Sequence, residues 1–148
     1  MDDFDLARFL PYRLNAAAAR VSRAFARRYR EEFGLSIAEW RVLAHLHAAQ
    51  GATVSIRDIE ASADLEKSTA SRTAARLAEA GLVARAARDS DRRLLTLTLT
   101  EAGEKLMARL IPVALEFQSE LLAELGQTAP GLVAALDALE PETERTAP

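Results

Sequence analysis

Residues 67–85 read KSTASRTAARLAEAGLVAR, and after a charged turn residues 95–100 read LTLTLT. In the first stretch Ala70, Ala74 and Leu77 recur at i, i+4 and i+7, the spacing of one buried helical face. Ser68, Thr69, Arg72 and Arg76 are left on the outer side, with Ser71 at its edge. Gly81 ends that helix, and the period then changes from 3.6 to 2. Leu82 to Arg85 reads as one strand, and Leu95 to Thr100 alternates apolar and hydroxyl residues as a half-buried strand should. Asp89-Ser90-Asp91-Arg92 lies between them as a polar turn, so the pair reads as a hairpin with a charged tip.

Such a helix suits the major groove of double-stranded DNA. Small hydroxyls allow close approach to phosphates and bases, and an arginine can reach guanine O6 and N7 with two bonds. Lys67, Ser68, Thr69, Ser71, Arg72 and Arg76 are the candidate contacts. At the hairpin tip Arg92, with Arg88 and Arg93 nearby, is placed to enter the neighbouring minor groove. An unpaired Asp91 would be repelled by phosphate, so its expected role is to hold an arginine or cap the turn.

Upstream, residues 5–33 read as one long helix, with Leu14, Ala18, Val21 and Phe25 at helical spacing and Gly34 as its cap. Arg20, Arg23, Arg27 and Arg30 form a second stripe on it. Ser36-Ile37-Ala38-Glu39 is a capping box, opening a helix lined by Ile37, Trp40, Leu43 and Leu46. Ser55 opens a shorter helix that buries Ile56 and Ile59. Downstream, Thr100 caps a helix that runs to about Leu125 with an expected kink at Pro112. A last amphipathic helix, Thr128 to Leu139, carries Leu132, Val133, Leu136 and Leu139 on one side. The final residues, 141–148, read as a disordered tail.

Composition narrows the classes. The chain has 148 residues, 49% hydrophobic and 28% charged, which fits one compact domain built mostly of helices. Cysteine is absent, which excludes disulfides, thiolate zinc sites and cysteine nucleophiles. No apolar run approaches the ~20 residues of a membrane span, and the start MDDFDLARF lacks the basic region of a secretory signal. A cytoplasmic protein is expected. The formal net charge of -3 hides a segregation: residues 66–93 carry seven basic side chains against four acidic, whereas residues 94–148 carry three against nine. Charge segregated in this way can present a polyanion-binding face despite a low isoelectric point.

Taken together, IAEWRVLAHL (37–46), KSTASRTAARLAEAGLVAR (67–85), DSDRR (89–93) and LTLTEAGEKL (97–106) resemble the MarR family of winged helix-turn-helix regulators. The resemblance covers about residues 5–140 in the family's order and spacing. Glu66 replaces the common Asp before the lysine, and Ala70 replaces the common Val. The resemblance implies a mainly α fold with a small β-hairpin wing and long N- and C-terminal dimerisation helices. Residues 5–33 and 100–140 would form the dimerisation region, and residues 36–99 the DNA-binding lobe. It further implies a homodimer on a palindromic operator, a repressor released by a small molecule such as an aromatic acid.

Several residues carry two readings. Trp40 sits in the apolar stripe of its helix and reads first as core, although with Tyr12 and Arg13 it is a candidate for binding an aromatic carboxylate. Tyr12 and Arg13 suit a dimer contact equally well. His45 and His47 are two apart and point to different sides of their helix, so no metal site is expected, nor any other cofactor. A winged-helix module that binds protein rather than an operator is the alternative, and arginines on both helix and wing weigh against it. An enzyme is not expected: the chain lacks a Gly-rich phosphate loop, metal-ligand spacing and a Ser/His/Asp pattern.

Overall fold

A computed structural model describes residues 3–87 and 95–141. Arg88, Asp91, Arg92 and Arg93, the expected wing tip, lie outside the described residues, as does the expected tail from 142 onward. The chain divides after Val113 into two compact units.

The first unit opens with a short 3-10 turn, Leu6–Arg8, capped by the Asp5 carboxylate, which accepts the Ala7 N–H at 3.0 Å. Helix α1 begins only at Leu10 and runs to Phe33. The break arises because Pro11, which has no N–H, is accommodated in a first helical turn and not in a helix interior. Gly34, at φ 68°, ends α1 in the left-handed region that glycine enters without strain. Helix α2 (Ile37–Ala48) starts at the expected box: Ser36 Oγ accepts the Glu39 N–H at 3.1 Å, and Glu39 Oε2 accepts the Ser36 N–H at 2.9 Å.

A two-residue strand β1 (Val54–Ser55) follows, then α3 (Ile56–Ser62), capped by Ser55 Oγ on the Asp58 N–H. Helix α4 (Lys67–Glu79) leads into β2 (Val83–Ala87), and β3 (Leu95–Leu99) returns beside it. The sheet order is β1-β3-β2, all antiparallel, with Val83 opposite Leu99, Arg85 opposite Leu97, and Val54 opposite Leu97 on the far side. The sequence predicts the hairpin; β1 is too short to leave a period-2 signal and is seen only through its pairing.

Leu43, Leu46, Ile59, Leu77, Leu97, Met107 and Leu110 form the core of this unit. The lower half of α1 joins it through Ala26 and Tyr29, so α1 is part of the same compact unit as the helices that follow. Phe25, Tyr29 and Trp40 make an aromatic cluster with ring centroids 4.9–5.9 Å apart. Burial raises the Tyr29 hydroxyl above its ordinary pKa, against the pull of Arg30 and Arg41.

Helix α5 (Glu101–Leu125) starts by clamping the end of α4. Thr100 Oγ1 donates to the Gly81 carbonyl at 2.6 Å and accepts the Gly103 N–H at 3.1 Å, while the Thr100 N–H donates to the Leu82 carbonyl. The helix continues through Pro112 to Leu125, and the division between units falls just beyond that proline. The second unit holds the end of α5, a 3-10 turn at Gly126–Thr128 and α6 (Ala129–Leu139). Its apolar residues Leu115, Leu132, Val133, Leu136 and Leu139 are all exposed. Among the described residues no helix is long and apolar enough to cross a membrane.

Candidate nucleic-acid interface

Helix α4 divides sharply. Ala70, Thr73, Ala74 and Leu77 are buried, at 2% exposure or less, and Lys67, Ser68, Ser71, Arg72 and Arg76 are exposed, with Thr69 half-buried. Thr73 is the addition to the predicted inner face. Its hydroxyl is satisfied by donation to the Thr69 carbonyl at 2.7 Å, which lets a polar residue sit in the core. Small inward residues let α4 pack closely into the core and leave its other side exposed. Glu66, the N-cap, makes no side-chain bond to the first turn. Lys67 and Ser68 are exposed in that turn, and a helix N-terminus without a side-chain cap favours an anion.

The predicted outer face therefore forms one continuous surface of hydroxyls and cations. At the C-terminal end of this face Arg76 Nε lies 3.6 Å from Glu39 Oε1 on α2. Arg85 is exposed on β2, beyond the end of α4. A residue role that the sequence does not announce is that of Glu39, which reads there only as half of a capping box.

The three residues considered for an aromatic acid do not meet. Tyr12 and Arg13 lie in the first turn of α1, in a groove of about 510 Å³ lined also by Leu10, Leu14, Ala17 and Arg20. Trp40 packs on Phe25, 5.1 Å between centroids. Twelve residues of helix separate Arg13 from Phe25, about 18 Å at the helical rise. A single crevice in one chain cannot hold both ends. The two histidines do diverge: His45 Nδ1 contacts the Arg41 carbonyl at 2.7 Å, whereas His47 Nδ1 is buried without a hydrogen-bond partner and faces Glu104 Oε2 at 3.7 Å. Among the described residues no group of three or more His, Asp or Glu could hold a metal ion.

Residues 33–94 match the sequence model of the MarR family. No curated protein sequence is similar enough to the chain to match it. Among solved structures, a MarR family transcriptional regulator from Silicibacter pomeroyi DSS-3 is 29% identical, with a TM-score of 0.75 over 93% of this chain and 100% of that one. A MarR/EmrR family transcriptional regulator from Acinetobacter sp. ADP1 is 24% identical, with a TM-score of 0.77 over 97% and 100%. BpsR of Bordetella bronchiseptica, solved in a study of how 6-hydroxynicotinic acid regulates its DNA binding, is 22% identical, with a TM-score of 0.73 over 95% and 100%. The first shares sequence and fold with this chain; the other two share the fold.

Proposed function

The chain belongs to the MarR family of winged-helix transcriptional regulators, and from that premise we propose that it is a repressor that binds a palindromic operator as a homodimer. The observation that carries this reading is the divided surface of α4, cationic and hydroxyl-bearing outside, closely packed inside. Arg72 reads a base in the major groove, Lys67, Ser68, Thr69 and Ser71 hold the flanking phosphates, and Arg88, Arg92 and Arg93 of the wing enter the minor groove with Asp91 as their support.

The dimer rests on exposed apolar surface. Phe4, Leu6, Phe9, Leu10 and Leu14 are exposed in the N-terminal stretch, and Leu115, Leu132, Val133, Leu136 and Leu139 in the C-terminal unit. So many large apolar side chains in water favour burial against a second copy. Charge supports the same pairing. Arg13, Arg20, Arg23, Arg27 and Arg30 are exposed along one side of α1, and Glu116 and Glu124 are exposed on α5. Two copies bring two α4 helices to successive major grooves, one turn of about 34 Å apart.

The effector is a small aromatic acid. The Tyr12–Arg13 groove supplies a ring for stacking and a guanidinium for the carboxylate. Trp40 stays in its aromatic cluster and is not part of this site. By linkage, an acid that lowers operator affinity tenfold binds the operator-bound dimer tenfold more weakly, a coupling of about 1.4 kcal/mol.

A labelled fragment of the protein's own promoter, titrated by fluorescence anisotropy at several salt concentrations, tests the reading. With six or more phosphates neutralised by two subunits, log K should fall against log salt with a slope of about -5 or steeper. A flat response removes the phosphate-binding surface, and no binding at any salt makes the lobe a protein-interaction module.

A further inference from the structure

Glu39 divides its carboxylate between two tasks. Oε2 is fixed by the Ser36 N–H at 2.9 Å, and Oε1 faces Arg76 Nε at 3.6 Å. The Glu39 side chain is 15% exposed and that of Arg76 is 59% exposed. One partner is therefore anchored at the start of α2, and the other reaches from the last turn of α4 into solvent. A separation of 3.6 Å is an ion pair without a good hydrogen bond, so the Arg76 N–H groups keep most of their bonding capacity. We propose that Glu39 is a positioning residue for DNA binding: its carboxylate stands in for a backbone phosphate at Arg76 and, staying in place when DNA docks, holds Arg76 back from the phosphate. The proposal rests on the DNA-binding reading above and deepens it.

The chemistry follows from the two acceptors. A phosphate reaching Arg76 offers shorter, charge-assisted bonds than the carboxylate does. It must also approach a carboxylate that cannot swing away, because Oε2 is committed to the capping box. Arg76 thus contributes less to phosphate binding than an arginine in open solvent would. The loss falls on backbone contact, which all sequences share, so Glu39 lowers affinity for every duplex.

Glu39→Gln separates the two tasks. The glutamine oxygen still accepts the Ser36 N–H, so the cap of α2 survives, and the charge facing Arg76 is gone. Binding of the full-length protein to promoter DNA and to an unrelated duplex is measured across salt for wild type, Glu39→Gln, Arg76→Ala and the double variant, with thermal melting of each as a folding control. Glu39→Gln should tighten binding to both duplexes several-fold at low salt. It should also steepen the slope by about 1.8 per dimer, one phosphate for each freed arginine. In the Arg76→Ala background the same substitution should leave the slope unchanged, a result that a merely structural role for Glu39 would not produce. Equal slopes for wild type and Glu39→Gln, or a change that persists without Arg76, overturn the proposal alone. Failure of all four folded proteins to bind DNA overturns the DNA-binding reading and this proposal with it.

Discussion

Replacing Gly103 with alanine should destabilise the protein by about 3 kcal/mol, the upper part of the range for overpacking a tight contact. Gly103 lies in the first turn of α5, directly against the backbone where α4 hands over to β2. A methyl group there would overlap the Leu82 carbonyl oxygen, and it would come within 3.2 Å of the Leu82 carbonyl carbon and 3.1 Å of Leu99 Cδ2. The obstacle is main chain and cannot rotate aside. The same carbonyl accepts the Thr100 N–H, and the carbonyl before it accepts the Thr100 hydroxyl. Moving Leu82 therefore strains two further bonds. Alanine's better helix propensity gains at most ~1 kcal/mol and does not offset this. Thermal melting at fixed protein concentration should show the midpoint falling by roughly 6–12 °C for a chain of this length. An unchanged midpoint would mean that α5 does not press on Leu82 as described.

That contact shows what the sequence can and cannot disclose. The glycine of LTEAG (99–103) is visible in the sequence as part of a family pattern, but its reason is a carbonyl brought close by the fold. Local signals were legible where local physics decides: the Ser36 capping box, the Gly34 terminator and the LTLTL strand all stand where spacing puts them. Position Phe9 differs, because the long apolar period through residues 5–33 hides the break before Pro11. Strand β1 is two residues long and depends on pairing with Leu97 and Thr96, partners far away in sequence.

The candidate site was legible in the same uneven way. The outer face of α4 follows from the 3.6 period alone, since burying Ala70, Ala74 and Leu77 fixes where Arg72 must point. The ion pair of Arg76 with Glu39 does not follow, because it joins two helices through residues 37 positions apart in sequence. The grouping of Tyr12 and Arg13 with Trp40 fails for the opposite reason. Residue chemistry suggested a joint site, but the helical rise keeps its members apart.

Arg72 and Arg76 are one helical turn apart on the proposed DNA face, and their replacement should have different consequences. Arg72 is exposed at the middle of α4, between the hydroxyls of Ser68 and Ser71 and the tethered Arg76. A bidentate contact from this position to guanine is worth ~1–3 kcal/mol of discrimination. A two-fold dimer makes it twice, so Arg72→Ala should lose about 2–6 kcal/mol on the operator, from roughly thirtyfold to above ten-thousandfold in affinity. The loss should be concentrated at one symmetric pair of base positions, and substituting those pairs should no longer matter to the variant. Unrelated DNA should bind the variant nearly as well as it binds wild type, and the salt slope should change little, because a base contact releases no condensed counterion. Competition anisotropy with operator, base-substituted operator and unrelated duplex measures all three quantities. Equal losses on every duplex with a shallower slope would make Arg72 a phosphate ligand, and base reading would then have to come from the hydroxyls of α4 or from the wing.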